Sequence, residues 1–417
     1  MKLGDIVKGR GPWRNLLLFV SIMGPGIITA NVDNDAGGIT TYTLAGAHFG
    51  LSLLWTLIPI TAALIMVQLM SARLGVATGK GLADLLRENY GLKITFYVML
   101  ALIPINFANV AAEFSGVAAG AELFGIPKIV SVPLAGIFVW WLATQGNYKS
   151  VEKVFLAACL FYITYLASGY FASPNWKEVA RATVTPHLEW NKEYMVMLVG
   201  MVGSTIAPWM QFFQQSLVAD KGLGIKEYKH VRLDTIIGCI TVMIVVFFII
   251  VTCAVTLHPN KILVQTAQEA ALALKPLAGK YCSLLFAIGL LNASLFAASI
   301  LPLSTAYSVC EGLGWQTGLD LSFEEAPQFY SLYTILIGAG ALVVLWPGFQ
   351  LIRAMYWSQV LNGLLIPVIL VFCLQLSNRQ EIMGNLANSK LFQCVSWLVI
   401  GLVSILSLTM VGALLLG

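Results

Sequence analysis

Two carboxylates, Asp33 and Asp35, stand in the largely apolar run Gly24-Pro-Gly-Ile-Ile-Thr-Ala-Asn-Val-Asp-Asn-Asp-Ala-Gly-Gly-Ile39. An Asp at the centre of a membrane-spanning helix costs about 2.5–3.5 kcal/mol, so such residues are expected to serve a polar site. The adjacent Gly37 and Gly38 weaken a helix by about 1 kcal/mol each and let backbone carbonyls turn inward. A carboxylate facing inward carbonyls is the donor set of a hard cation such as Mg²⁺, Ca²⁺ or Mn²⁺. Asp33 precedes Asp35 by two residues, about 200° around a helix, so both reach one ion only if the segment unwinds. Asp35 is the first choice as ligand and Asp33 the second.

A second flaw lies in Gly203-Ser-Thr-Ile-Ala-Pro-Trp209. Pro208 lacks a backbone donor and clashes with the carbonyl of Ser204, which frees carbonyls there for a ligand. Alone, Pro208 reads more readily as a simple kink. The two flaws fall in the first and sixth apolar segments, the first helix of each half in a five-plus-five inverted repeat. Paired broken helices at corresponding positions mark a transporter's substrate site. The expected ligands are Asp35, carbonyls of Ala36 or Gly38, and carbonyls of Ser204 or Thr205. Gln359 is expected to add an oxygen on occlusion, or else to bond a neighbouring helix; Asn362 and Asn292 are assigned to that latter role. Glu113 follows Asn109 by four residues on one helix face. It reads either as a proton acceptor or outer neighbour of the site, or as an acid near the outer interface.

These residues need a membrane around them. The chain of 417 residues is 58% apolar and 11% charged, against roughly 25% charged in a soluble domain. That much apolar surface has no place in water. Windows long enough to span hydrocarbon recur at 14–48, 51–74, 94–119, 128–146, 151–172, 194–219, 234–257, 281–310, 329–347, 351–375 and 392–416. The expectation is an all-α membrane protein of about eleven transmembrane helices, forming one domain over 1–417. Its repeats would run over about 14–172 and 194–375, with an extra helix at about 392–416.

With a cytoplasmic N-terminus, the inner segments hold sixteen of the 24 Lys and Arg, among them Arg73, Lys80, Arg87 and Lys221. That bias sets the orientation and suits a multi-pass cell-membrane protein. The connection between spans eight and nine fits worst, because it carries Asp320, Glu324 and Glu325 with no basic residue. Glu311, Glu324 and Glu325 are read as a solvated loop, and Trp140 and Trp141 as interfacial or lipid-facing aromatics. The seven cysteines, from Cys159 to Cys394, lie in or beside apolar runs without a CxxC pair and read as small buried hydrophobes. No cleavable signal, no nucleic-acid surface, no cofactor and no obligate protein partner are expected. No span pairs a nucleophile with a base, so an enzyme is not expected.

The run from Gly24-Pro25 through Ala45-Gly46-Ala47-His48-Phe49-Gly50 to Leu53-Leu54-Trp55 resembles the Nramp family of divalent metal transporters. The likeness continues through Ser71-Ala-Arg-Leu-Gly-Val-Ala-Thr-Gly79, Ala112-Glu113-Phe114, Gly203 to Ser216 and Ser358-Gln359-Val360. The resemblance implies a LeuT-like fold with a metal site between spans one and six. The family's Asp-Pro-Gly-Asn stands here as Asp35-Ala36-Gly37-Gly38, so the Asp ligand is kept and the Asn ligand lost. The family's Ala-Thr-x-Met-Pro-His stands as Ser204-Thr205-Ile206-Ala207-Pro208-Trp209, so Ala207 replaces a soft thioether that favours transition metals. The family's two histidines in span six align with Trp209 and Gln214, and an Asp in span three with Val110. Glu113 is retained.

This pattern is most similar to the branch of Nramp-related magnesium transporters. It implies alternating-access carriage of Mg²⁺ and Mn²⁺, as partly hydrated ions, without proton coupling. A proton-coupled Mn²⁺/Fe²⁺ symporter is the alternative, and a Na⁺-coupled small-solute carrier or a channel is expected less.

Overall fold

The computed structural model describes residues 25–145, 163–262, 264–318 and 321–416. These residues are almost all helical, and no strand occurs among them. Lipid supplies no hydrogen-bond partner, so backbone groups must be satisfied within each helix.

Span one is split into α1 (Pro25–Val32) and α2 (Ala36–Phe49). Then follow α3 (Leu57–Thr78), α4 (Leu82–Glu122), α5 (Lys128–Gln145), α6 (Ile163–Phe171) and α7 (Trp176–Val184). Span six is split into α8 (Lys192–Thr205) and α9 (Pro208–Asp220). The remaining long helices are α10 (Tyr228–Thr256), α11 (Cys282–Leu313), α12 (Pro327–Leu345), α13 (Leu351–Asn378) and α14 (Lys390–Leu416). Among the described residues, eight helical stretches are long and apolar enough to cross a bilayer, counting α8 and α9 as one. Each falls on an expected window. Residues 14–24 of the first window and 151–162 of the fifth lie outside the described residues.

The broken spans occupy the centre of the molecule. The apolar window of α8–α9 is 100% buried, whereas that of α14 is only 28% buried. In α2, every residue from Ala36 to Ala47 is buried. Unpaired backbone at a helix break cannot face lipid, so protein must enclose both interruptions. α10 packs along α1 and α2, α13 packs along α4 and α8, and α11 packs along α4.

Three features depart from the sequence reading. The amphipathic α7 lies in a connection read only as polar. The α4 helix begins earlier than its window, and its first turns are set off by Gly91 at φ 81°, a conformation that favours glycine. Glu311 is not in a solvated loop: it is a buried residue near the end of α11. Its carboxylate accepts from Ser216 Oγ at 2.6 Å and lies over Gly81, at the start of α4. Arg87 bonds the Glu311 carbonyl and pairs with Asp84 at 2.9 Å. Glu325 stays in a turn, accepting from the Ser322 N–H at 2.7 Å; Asp320 lies outside the described residues. Of the described cysteines, five are buried and Cys394 on α14 is exposed. Trp141 is 53% exposed on the outer surface of α5.

Candidate metal site

The break in span one is made by Asp35 acting as a helix cap. Its backbone is extended (φ −70°, ψ −176°), and its Oδ1 accepts from the Gly38 N–H at 2.6 Å. That satisfies one of the unpaired donors at the start of α2. The Ala36 N–H donates to Glu113 Oε2 on α4 at 3.2 Å, and the Glu113 carboxyl neighbours that of Asp35. Two carboxyl groups therefore share the positive end of one helix dipole. Glu113 is wholly buried beside the site, so the expectation of an acid at the outer interface does not hold.

Asp33 is bonded differently. Both of its side-chain oxygens are buried without a hydrogen-bond partner, near Asp35, Tyr42 and Cys239 of α10. A buried carboxylate without donors around it is a costly arrangement.

The break in span six has a different cause. α8 ends at Thr205, Ile206 and Ala207 leave the helical conformation, and Pro208 opens α9 at its first position. A proline there needs no donor, so it starts a helix rather than kinking one. The Ser204 carbonyl loses its usual partner because Pro208 has no N–H. Ser204 Oγ is also buried without a partner. A Cβ on Gly38 would lie 3.4 Å from that hydroxyl and 3.3 Å from Asp35 Oδ1. The two breaks thus meet across Gly38, and absence of a side chain there lets them approach.

The other expected ligands divide. Gln359 of α13 reaches the first turn of α2: a Cβ on Gly37 would fall on its Nε2. Thr205 has its hydroxyl engaged with Met201 O at 2.8 Å and the Tyr42 hydroxyl at 2.9 Å. The Ala207 carbonyl accepts from Gln211 Nε2 at 3.2 Å. Asp35, Ala36, Gly38, Glu113, Ser204 and Gln359 therefore gather at the first turn of α2, and the Asp33 carbonyl lies against Gly38 there too; the Asp33 carboxyl has no hydrogen-bond partner, the Thr205 hydroxyl is engaged elsewhere, and the Ala207 carbonyl is taken by Gln211. Among the described residues, no group of three or more His, Cys, Asp and Glu side chains could hold a metal ion. A cation here would rely on backbone and amide oxygens beside one or two carboxylates.

Sequence reasoning missed Tyr42 and Gln211. Tyr42 follows Asp35 by seven residues, two turns along the same face, a spacing that would have flagged it. Gln211 follows Ala207 by one turn, and its Oε1 accepts from Ser71 Oγ of α3 at 3.1 Å.

A cavity of about 1280 Å³ opens where α2 ends and α8 and α13 begin, with His48, Glu122, Glu193, His258 and Arg353 in its wall. Its lining includes Leu44 and Tyr356, residues about two turns from Asp35 and one from Gln359. At the opposite end of α4 and α11, Glu311 and Ser216 close the packing.

The family model described as Natural resistance-associated macrophage protein-like (Nramp) matches residues 26–413. This chain belongs to the Nramp family. It is 28% identical over 388 residues to the divalent metal cation transporter MntH of Erwinia tasmaniensis, covering 91% of both chains. The MntH of Yersinia enterocolitica is equally similar, at 28% over 91% of this chain and 92% of that one. Among solved structures, the Eremococcus coleocola manganese transporter superposes with a TM-score of 0.80 at 20% identity, covering 98% of this chain and 90% of that one. MhsT in complex with L-phenylalanine superposes with a TM-score of 0.62 at 14% identity, covering 93% of this chain and 98% of that one. These likenesses place the Nramp chain in the LeuT-like fold, an all-α multi-pass membrane architecture with broken helices.

Proposed function

We propose that this Nramp-type chain is a carrier of divalent cations, Mg²⁺ and Mn²⁺ foremost, working by alternating access without proton coupling. The observation that carries the reading is the Asp35 carboxylate at the first turn of α2, set against Ser204 across Gly38. The relatives are named for divalent metal and manganese transport, and an acidic site whose remaining donors are oxygens suits such ions. Ala207 carries no sulfur, so the soft ligand that would prefer a transition metal is missing. Mg²⁺ sheds water reluctantly, and a site bounded by Gly38 and Ala207 leaves room for part of its hydration shell.

The proposal of uncoupled transport rests on positions without titratable groups. Trp209 is fully buried against Phe213, Gln214 donates to Thr235 Oγ1 at 3.3 Å, and Val110 is fully buried. The membrane potential then drives the ion inward, at about 2.3 kcal/mol per charge per 100 mV. The N-terminus is placed in the cytoplasm of a cell-membrane protein, so the large cavity opens outward and the Glu311 contact closes the inner side. One observation favours the second reading, a proton-coupled Mn²⁺/Fe²⁺ symporter: the Glu113 carboxyl lies beside that of Asp35 and could take up the proton that an arriving ion displaces from Asp35.

Competition among Mg²⁺, Mn²⁺ and Ca²⁺ for uptake into proteoliposomes, with internal pH recorded, decides between them. The expected result is Mn²⁺ uptake inhibited by Mg²⁺ with no acidification. Acidification that tracks Mn²⁺ uptake, or indifference to Mg²⁺, would sink the proposal in favour of the symporter.

A further inference from the structure

Gln359 does not stand alone. Its Oε1 accepts from Asn362 Nδ2 at 2.9 Å, and Asn362 Nδ2 also donates to Asn109 Oδ1 at 3.1 Å. Asn109 Nδ2 returns a bond to Asn362 Oδ1 at 2.9 Å. Asn109 and Asn362 are fully buried and Gln359 is 2% exposed, so no bulk water competes for these amides. In this arrangement Gln359 turns its Nε2 toward Gly37, at the first turn of α2.

An amide nitrogen is the wrong group to offer a cation. It is a donor only, and water already bound to a metal also only donates, so a bare ion and a hydrated one both need an acceptor. Gln359 can serve the ion only by rotating its amide to bring Oε1 forward. For an isolated buried glutamine that rotation would leave polar groups unpaired.

We propose that Asn109 and Asn362 are positioning residues that let Gln359 present either amide nitrogen or amide oxygen to the first turn of α2 with every amide–amide hydrogen bond kept, at the cost only of the long 3.4 Å contact from Gln359 Nε2 to Ser358 Oγ. When all three amides turn over together, each donor takes the place of an acceptor. Gln359 Nε2 then donates to Asn362 Oδ1, Asn109 Nδ2 donates to the same oxygen, and Asn362 Nδ2 donates to Asn109 Oδ1. The three bonds are preserved in number and in partners. Nitrogen-forward, Nε2 lies against Gly37 in the turn that Asp35 caps; a cation favours the oxygen-forward state. Gly37 is the residue that leaves the amide room to do this. Asn109 and Asn362 sit on α4 and α13, which pack along each other.

This inference rests on the reading that the cation binds at Asp35, and the test separates the two. Mn²⁺ binding is measured by titration calorimetry on the full chain in detergent, for Asn362→Leu, Gln359→Leu and the double variant, with Asp35→Ala alongside. Asn362→Leu is expected to weaken binding on the order of tenfold and to have no further effect in the Gln359→Leu background. A merely structural staple between α4 and α13 would instead weaken binding equally in both backgrounds, and that result overturns the proposal, as does wild-type affinity in Asn362→Leu. Asn362→Asp supplies only acceptors, so it pins Gln359 oxygen-forward; binding should be at least as tight as wild type, with the gain gone when Gln359→Leu is added. If Asn362→Leu fails to fold, this second pair carries the test, and a gain that survives Gln359→Leu refutes the proposal. Unchanged binding in Asp35→Ala would remove the site reading itself.

Discussion

The two helix breaks reach similar geometry by opposite means. Span one is interrupted by polarity: Asp35 caps α2 through Gly38, and a second acid, Glu113, accepts from Ala36. Span six is interrupted by a missing donor: Pro208 cannot bond back, and no charged side chain occurs between Lys192–Glu193 and Asp220. One break therefore supplies charge and the other supplies shape. In the proposed site Asp35 would attract the cation, and the residues of span six, a hydroxyl, a carbonyl and the small Ala207, would set how large and how soft it can be.

The largest effect should come from the charged side. Asp35→Asn keeps a side chain that caps a helix as well as Asp does, so thermal unfolding should be little changed while Mn²⁺ uptake into proteoliposomes falls on the order of 100-fold. Asp35→Ala should lose uptake equally and cap stability of about 1 kcal/mol besides. Normal uptake by Asp35→Asn would dissolve the comparison, since charge would then not distinguish the breaks.

Next comes the contact that holds span six in place. A Cβ at Gly203 would run into the backbone of α13 at Gln359 and Gly363, which cannot move aside as a side chain can. Gly203→Ala should destabilise by about 1–3 kcal/mol in a thermal unfolding assay. Gly338→Ala, inside α12 with open space around it, is the matched control and should leave stability unchanged or raise it by up to about 1 kcal/mol.

The smallest effect should be the one on selectivity. Ala207→Met restores a thioether and should shift competition several-fold toward Cd²⁺ over Mg²⁺ while leaving the fold intact. Unchanged selectivity would mean that span six does not tune the ion.

Much of the fold was legible because hydrocarbon imposes a simple rule. Segments of about 20 apolar residues must cross it as helices, and the eight long apolar stretches among the described residues lie on windows read from composition. Both breaks were also legible, since an acid, a glycine pair and a proline each carry a local cost that shows in one dimension. Glu311 was not. It falls just past the apolar window that ends at 310, but Ser216 and the start of α4, both distant in sequence, give its carboxylate donors inside the protein.

The sequence by itself determined that the chain spans a membrane, where its helices break, and that one break is charged and the other is not. These follow from transfer costs and backbone chemistry, which are properties of each residue and its near neighbours. Only the tertiary structure decided which polar atoms meet. Asp33 and Asp35 sit two residues apart yet only the Asp35 carboxyl finds a donor, the Gly38 N–H, while both Asp33 side-chain oxygens are left without one. Gln359 meets Gly37, and Asn109 meets Asn362, across 253 residues of chain. Hydrogen bonds depend on direction and on distances below about 3.2 Å, and helix packing sets those between segments that no local pattern connects.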